Sequence, residues 1–221
     1  MNIRVNGKEY LIEQVASFDV DPQNGFTPLC PEELPVPEGD KIVPELNAQA
    51  KFAGVRVASR DAHSTNAEWV ATTERPQFTP IVGKPNLDLH WNLHCKFGTF
   101  GFEFISGLPS ALEYNFVATK GMEVDSHPYG GCYQDLCKSI STGVIEFLKA
   151  KGVQVVIVGG LATDYCLLET VLELIAAGFV VVVNLGACRG VAPESTKKAV
   201  EKMRQVGVLF IESAQELASA V

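Results

Sequence analysis

The stretch that decides the fold is Val155-Val156-Ile157-Val158-Gly159-Gly160-Leu161-Ala162-Thr163-Asp164-Tyr165-Cys166, an apolar run that leads through a Gly-Gly pair to a cysteine. A strand buried on both faces is typically a continuous Val/Ile run, so the first half predicts a central strand of a parallel sheet. Thr163 or Asp164 can cap a helix over residues 164–177, with Cys166 in its first turn. The N–H groups and positive dipole end there favour a thiolate, so we interpret Cys166 as a candidate nucleophile. The alternative, a small residue packed beneath a helix, stays open at this point.

The bulk composition excludes several classes of protein. The chain has 221 residues, of which 47% are apolar, and a formal net charge of −8 without any run of Lys or Arg. An acidic chain of this kind is not expected to bind nucleic acid or an anionic membrane surface. Residues 1–15 lack the apolar core of a secretion signal, and the longest apolar runs, such as 179–183, are far too short to span a bilayer. We therefore expect a cytoplasmic protein whose six cysteines are reduced.

The alternation of strand and helix patterns predicts the fold class. Six apolar runs have strand character: residues 16–20, 55–59, 115–119, 153–158, 179–184 and 207–211. Helical patterns cover about residues 40–52, 136–150, 164–177 and 194–205, followed by a short C-terminal helix. Strands that alternate with helices form right-handed βαβ units. We therefore predict a three-layer α/β/α fold with a six-stranded parallel, Rossmann-like sheet, as a single domain over residues 1–221.

The first residues predict an addition to this fold. Residues 3–11 alternate polar and apolar side chains around Asn6-Gly7, and an Asn-Gly pair in such a setting is a strong signal for a two-residue turn. We predict an N-terminal β-hairpin extension over residues 1–15.

Reactive side chains follow the predicted strands at their carboxyl ends. Asp21, Asp61, His63, Lys120 and Cys166 each come at most a few residues after such an end. Because ligands bind at the carboxyl ends of strands in parallel α/β sheets, we expect these side chains to meet in one crevice. An acid, a base and a thiol together form a nucleophile with its activators. Taken singly, each could equally be a turn residue or a solvated loop charge.

The histidines predict a metal site. All four lie in irregular parts of the chain: His63, His90, His94 and His127. Asp61 and His63 can share one cation, and His90 and His94 offer further nitrogen ligands. Imidazole and carboxylate ligands suit zinc, iron or manganese. The alternative is that His90 and His94 are packing residues on either side of Trp91, and we favour it for His90 only.

These motifs resemble the nicotinamidase/pyrazinamidase branch of the isochorismatase-like cysteine hydrolases over about residues 16–212. Residues 160–166, Gly-Leu-Ala-Thr-Asp-Tyr-Cys, are similar to the nucleophile motif of this family almost letter for letter. Residues 21–26, Asp-Pro-Gln-Asn-Gly-Phe, resemble its Asp-x-Gln-x-x-Phe motif, and Lys120-Gly121 matches its lysine. Residues 91–101, which begin Trp-Asn-Leu-His-Cys, resemble the element that distinguishes nicotinamidases from isochorismatases.

The resemblance implies an activity, the hydrolysis of nicotinamide to nicotinate and ammonia through a thioester, with pyrazinamide as a further substrate. It also implies roles for ten residues. The implied catalytic residues are Asp21, Lys120 and Cys166, and the backbone N–H groups of Ala162 and Cys166 form the oxyanion hole. The implied substrate-binding residues are Phe26, Trp91 and Leu161. The implied ligands of one divalent metal ion, zinc or else iron or manganese, are Asp61, His63 and His94. The family further implies a cis peptide bond before Ala162 and a homo-oligomer.

The chain departs from the family pattern at a few positions. Gly25, Asn92 and Gly186 replace common Asp, Pro and Asp residues, and Trp69 stands where some members have a further metal-binding histidine. An amidase acting on an N-carbamoyl or ureido substrate is the alternative function, because such enzymes share the Asp–Lys–Cys set. A non-catalytic scaffold is another alternative, although all three catalytic positions are retained. The Gly-Gly pair does not form the G-x-G-x-x-G pattern of a dinucleotide-binding domain.

Overall fold

An antiparallel hairpin opens the chain, as predicted. The structure, a computed structural model, describes residues 2–219; Met1, which the predicted hairpin includes, and the last two residues of the predicted domain lie outside it. Strands β1 (Asn2–Val5) and β2 (Lys8–Leu11) pair in antiparallel register. The turn residues Asn6 and Gly7 have φ angles of 50° and 75°, which is the left-handed backbone that an Asn-Gly turn requires.

The other six strands form one parallel sheet, which confirms the predicted fold class. Their bounds are β3 (Val15–Val20), β4 (Val55–Asp61), β5 (Phe116–Lys120), β6 (Val155–Leu161), β7 (Val180–Arg189) and β8 (Leu209–Ile211). The helices are α1 (Val43–Gln49), α2 (Val144–Ala150), α3 (Leu168–Ala176) and α4 (Pro193–Gln205). Among residues 2–219, no helix is both long enough and apolar enough to cross a lipid bilayer.

The strand order β5-β4-β3-β6-β7-β8 determines where a ligand can bind. Strand β3 pairs with β4 on one side and with β6 on the other, so the direction of the chain across the sheet reverses between β3 and β6. Loops that leave two such strands diverge and leave a crevice at their carboxyl ends. The crevice therefore lies beyond Val20 and Leu161.

Apolar side chains cover both faces of the sheet. Alternate residues of a strand point to opposite faces, so Phe18 packs in the larger core whereas its neighbour Ser17 faces Gln49 of α1. The larger core also contains apolar residues of α2, α3 and α4. A second cluster lies around Val155, Ile157 and Val182, and the hairpin contributes residues to it. This arrangement produces the predicted three layers.

Two predicted helices begin later than the sequence pattern indicates. The helix expected over residues 136–150 begins at Val144, because Asp135 accepts backbone hydrogen bonds from Ser139 (2.8 Å) and Ile140 (3.1 Å) and holds that segment as a loop. Short polar side chains commonly compete with helices in this way. The helix expected over residues 164–177 is preceded by a π-helical turn at Thr163–Leu167.

Candidate active site

Four strands deliver the predicted catalytic groups to one place. Asp21 follows β3, Asp61 ends β4, Lys120 ends β5, and Cys166 lies just after β6. The Lys120 ammonium lies 3.0 Å from Oδ2 of Asp21 and is also hydrogen-bonded to Oδ1 of Asp61. The Sγ atom of Cys166 lies within 4.8 Å of a carboxylate oxygen of both aspartates. The structure thus brings together the acid, the ammonium and the thiol that the sequence analysis singled out.

The buried charges of this cluster decide its protonation state. Burial lowers the pKa of the Lys120 ammonium, but the carboxylates of Asp21 and Asp61 outweigh burial and raise that pKa well above its usual value. Burial raises the pKa of Asp61, yet Lys120 and His63 outweigh it and hold that pKa far below normal. Asp21 has its pKa raised by burial and by the negative charge of Asp61, although Lys120 opposes the change. Asp21 is therefore the carboxylate of the cluster with the greater affinity for a proton.

The pKa of the Cys166 thiol differs from the sequence expectation of a stabilised thiolate. Burial raises the pKa of Cys166 well above its usual value, and Asp21 and Asp61 raise it further, whereas Lys120 lowers it. The expected effect of a helix start is outweighed by the loss of solvent. The resting residue is thus a thiol, and a neighbouring base has to remove its proton before it can act as a nucleophile.

The turn that carries Cys166 has an unusual backbone. The peptide bond between Leu161 and Ala162 is cis, as the resemblance implies. Gly160 has a φ of 137°, and a Cβ atom at this position would lie 2.0 Å from the carbonyl oxygen of Val20. Only glycine allows β6 to approach β3 so closely. Cys166 itself lies in the π-helical turn, a feature that is frequent at functional sites.

The sequence predicts Thr163 or Asp164 as the helix cap, but neither residue has this role. The residue that precedes the helical turn is Ala162, whose side chain makes no capping hydrogen bond. The Asp164 carboxylate instead accepts hydrogen bonds from the backbone N–H groups of Val191 (2.9 Å) and Ala192 (3.2 Å) and from the hydroxyl of Ser195. Asp164 therefore ties the turn that carries Cys166 to the start of α4.

Two polar residues whose roles the sequence analysis did not assign hold the acids in place. The Gln23 amide donates to the carbonyl of Asp61 (2.8 Å) and accepts from its N–H (2.7 Å). The Ser59 hydroxyl donates to Oδ1 of Asp21 (2.6 Å) and accepts from the N–H of Asp21 (3.2 Å). These bonds hold Asp21 in the left-handed backbone conformation, with a φ of 41°. Gln23 lies within the Asp-x-Gln-x-x-Phe motif, so the sequence contained a signal for it. Nothing in the sequence pointed to Ser59.

Beside the acids lies a cluster of imidazoles. Oδ2 of Asp61 is 3.4 Å from Nε2 of His63 and 3.9 Å from Nε2 of His94. The Nδ1 atoms of both rings hydrogen-bond to backbone carbonyls, of Gly121 at 2.9 Å and of Asn92 at 2.7 Å. A carbonyl only accepts, so Nδ1 carries a proton in each ring, and in the neutral imidazole Nε2 then has the free lone pair. Burial and the neighbouring His63 lower the pKa of His94 to about 3.

The cluster fits a divalent metal ion. Nε2 of His63 is fully buried and has no hydrogen-bond partner within residues 2–219. A neutral imidazole whose other nitrogen donates to a backbone carbonyl is the usual arrangement of a metal-binding histidine. Oδ2 of Asp61 adds the negative charge, while its Oδ1 is used by Lys120. The three predicted metal-binding residues are thus suitably placed.

A fourth ring, His127, belongs to the same cluster and was not singled out by the sequence analysis. Its ligand atom lies within 4.8 Å of those of His63 and His94. Burial and the two neighbouring imidazoles lower the pKa of His127 well below its usual value. By contrast, the His90 ring lies outside this cluster, with Nδ1 bonded to the carbonyl of Trp69 (3.1 Å). The only signal for His127 in the sequence was its place in an irregular segment.

A pocket joins the thiol to the imidazoles. Its lining residues are Phe26, Leu34, Asp61, Trp91, His94, His127, Tyr129, Ala162, Tyr165, Cys166 and Val191. The predicted substrate-binding residues Phe26 and Trp91 and both predicted oxyanion residues are among them. Leu161 is not, because its fully buried side chain is directed towards Gly39. The aromatic walls and the reactive groups make this a site for a small flat molecule.

Comparisons with known proteins agree with this geometry. The sequence profile of the Isochorismatase domain matches residues 16–215. A nicotinamidase of Escherichia coli (strain K12) is 30% identical over 198 residues, which are 85% of this chain and 90% of that protein.

Two solved structures resemble the chain in fold and in sequence. An Acinetobacter baumanii nicotinamidase/pyrazinamidase superposes with a TM-score of 0.84 at 30% identity, over 93% of this chain and 98% of the other. A Pyrococcus horikoshii pyrazinamidase in complex with zinc superposes with a TM-score of 0.70 at 32% identity, over 90% and 98% respectively.

Proposed function

The chain belongs to the isochorismatase family, and from this premise we propose that it is a nicotinamidase, a cysteine amidohydrolase that converts nicotinamide to nicotinate and ammonia. The observation that carries the proposal is the pocket, in which the Cys166 thiol and the imidazole cluster lie on the same small aromatic cavity. A thiol nucleophile acts on the amide, and nitrogen-binding groups lie within reach of the ring.

The first step is attack by sulfur. Asp21, whose pKa is raised, takes the proton of the Cys166 thiol as Sγ bonds to the amide carbon. The Lys120 ammonium stabilises the negative charge that develops beside it. We assign the oxyanion to the backbone N–H groups of Ala162 and Cys166, because both residues line the pocket; such a donor is typically worth about 3–4 kcal/mol.

Asp21 then returns its proton. The tetrahedral intermediate collapses when the C–N bond breaks, and Asp21 protonates the leaving amine, which departs as ammonia. A water molecule attacks the resulting thioester and Asp21 accepts its proton. The C–S bond breaks, nicotinate forms, and Asp21 protonates the sulfur again. One carboxylate thus acts alternately as base and acid, which requires the raised pKa that its surroundings produce.

We assign the cluster around Asp61, His63 and His94 to a divalent metal ion, zinc by its imidazole and carboxylate ligands, with iron or manganese as alternatives. When bound, such an ion supplies a Lewis acid that accepts the ring nitrogen of the substrate. The similar Pyrococcus horikoshii protein was solved with zinc. We assign the packing of the substrate ring to Phe26 and Trp91, because both aromatic side chains line the pocket. An N-carbamoyl or ureido substrate has no ring nitrogen for this cluster and is not favoured.

The location and assembly of the protein stay predictions. We expect a cytoplasmic protein, because a reducing compartment keeps Cys166 and the other cysteines as thiols. We expect a homo-oligomer because the resemblance to the family implies one. Cell fractionation and a mass measurement in solution test these two points.

The proposal is tested by incubating the protein with nicotinamide, and separately with pyrazinamide and an N-carbamoyl amino acid, and measuring ammonia. We expect ammonia release from nicotinamide and pyrazinamide only. This release should be lost after a chelator removes the metal. Cys166→Ala should lower kcat by at least about 10³-fold because the nucleophile is missing, with unchanged circular dichroism and metal content.

The matched control is Cys137→Ala, since Cys137 is exposed and outside the pocket. Its kcat should equal that of the unmodified protein. Normal turnover by Cys166→Ala would disprove the covalent mechanism, and ammonia release only from the N-carbamoyl compound would establish the alternative function.

A further inference from the structure

His127 is a buried side chain whose polar atoms have no partner. Its ring is 3% exposed, and neither Nδ1 nor Nε2 has a hydrogen bond within the part of the chain that the structure describes. Leaving a buried donor or acceptor unsatisfied is costly, so such groups nearly always have a partner. Two unsatisfied nitrogens on one ring therefore indicate that something else binds there.

The ring lies among groups that bind cations. The ligand atoms of His63, His94 and His127 all lie within 4.8 Å of one another. Oδ2 of Asp61 is 3.4 Å from His63, close to the roughly 3.3 Å that separates two donors of a tetrahedral zinc ion. The three imidazoles come from three separate segments of chain, and the Asp61 carboxylate approaches this group on the side of His63 and His94, with Oδ2 3.9 Å from His94.

Packing holds the His127 ring in this position. The centroid of the Trp69 ring is 4.4 Å from that of His127 and 4.6 Å from that of His63. The centroid of the Trp91 ring is 6.0 Å from that of His127, and the two ring planes are inclined by 26°. An indole donates a hydrogen bond but has no lone pair for a cation, so these neighbours confine the imidazole without satisfying it.

We propose that His127 is a third imidazole ligand of the metal ion, which completes a three-histidine, one-carboxylate set with Asp61, His63 and His94. The inference rests on the metal site of the proposed function and extends it by one residue. His127 differs from the other two histidines because no backbone carbonyl fixes its tautomer. It is therefore the ligand whose orientation depends on packing alone, and it lines the substrate pocket together with Asp61 and His94.

The test compares metal affinity in three variants of the full-length protein. The metal-free protein is titrated with Co²⁺ and Zn²⁺ against a competing chelator, and the visible absorption of the Co²⁺ form is recorded. His127→Gln should raise the dissociation constant at least about tenfold and change the Co²⁺ spectrum, since even indirect partners of a metal ligand contribute that much. His94→Gln serves as the reference for a lost ligand.

His90→Gln is the matched control, because His90 is also buried yet lies outside the cluster. It should leave affinity and spectrum unchanged. If His127→Gln also leaves both unchanged while His94→Gln weakens binding, the inference is wrong and an ordered water is the partner of His127, but the proposed function stands. If the unmodified protein binds no metal, the metal site of the proposed function itself fails.

A measurement on the unmodified protein keeps the question open to test if the variants do not fold. X-ray absorption of the zinc form counts the imidazoles bound to the metal. Three support the inference, and two overturn it.

Discussion

At the scale of single residues, the site depends on how hydrogen bonds and neighbouring charges stabilise each buried charge. Asp21 receives the Ser59 hydroxyl on Oδ1 (2.6 Å) and the Lys120 ammonium near Oδ2 (3.0 Å). Both stabilise the carboxylate, whereas burial and Asp61 favour the protonated form. The balance leaves Asp21 with a raised pKa, so that it can both accept and return a proton.

Ser59→Ala should shift the pH dependence of kcat/KM. Asp21 has to be ionised to act as a base, so activity is lost as the pH falls through its raised pKa. Removing the serine hydroxyl takes away a bond that favours the ionised form, and the pKa rises further. A hydrogen bond to a charged group contributes about 1.5–3 kcal/mol, so the acid limb of the profile should move up by about 1–2 pH units.

The control for this prediction is Ser17→Ala, a buried serine bonded to Asp19 outside the site. Its profile should match that of the unmodified protein. An acid limb that stays in place in Ser59→Ala, or moves to lower pH, would show that Asp21 is not the group that titrates.

At the scale of elements, the turn that carries Cys166 is held by the connection between β7 and α4. Cys166 lies between β6 and α3, in a turn whose Asp164 accepts three hydrogen bonds from the start of α4. The position of the thiol thus depends on a connection that begins after β7. Val191, which belongs to this connection, also lines the pocket.

Asp164→Asn should reduce both stability and activity. An amide can accept some of the three bonds but lacks the charge, so we expect the free energy of unfolding to fall by about 2 kcal/mol. The rate should fall as well, because the turn that carries Cys166 loses its attachment. Urea unfolding followed by fluorescence and an assay of kcat/KM measure the two effects.

Glu194→Gln is a suitable control, since this acid lies exposed in the first turn of the same helix. It should cost under about 1 kcal/mol, the value typical of a charge near a helix end. An Asp164→Asn variant as stable as this control would mean that the three bonds contribute little.

At the scale of the whole molecule, the N-terminal hairpin covers the part of the sheet farthest from the catalytic edge. Ile3, Val5 and Tyr10 point into the second apolar cluster, which includes Val15 and Val155 at the amino ends of the central strands. The site lies at the opposite, carboxyl ends. The hairpin is therefore expected to stabilise the sheet without taking part in the reaction.

Ile3→Ala should lower the free energy of unfolding by about 2–4 kcal/mol, because it removes a fully packed side chain that is 2% exposed. The values of kcat and KM should not change. Leu11→Ala, on the same hairpin but 54% exposed, should cost less than about 0.5 kcal/mol. Equal stability of the two variants would indicate that the hairpin does not pack on the sheet in solution.

Local pattern predicted the regular parts of this fold well. The six apolar runs appear as the six parallel strands, because a strand buried on both faces needs Val and Ile wherever it passes through the core. The late start of α2, at Val144, could not be predicted from the local apolar pattern. Ser139, Ser141 and Thr142 are weak helix formers, and the hydrogen bonds that Asp135 accepts hold a loop there.

The sequence by itself determined the chemistry at the ends of the strands: an acid after β3, an acid and an imidazole after β4, a lysine at the end of β5 and a thiol after β6. Only the tertiary structure decided the protonation of these groups and the place of His127. The reason is physical, since a pKa and a ligand set depend on burial and on distances of a few ångströms between segments that lie far apart in the chain. Thus Cys166 is a thiol despite its place near a helix start. His127 lies beside His63, 64 positions earlier in the chain, because Lys120 pairs with β4 and Gly121 bonds to the His63 ring, which brings the loop that follows them back to β4.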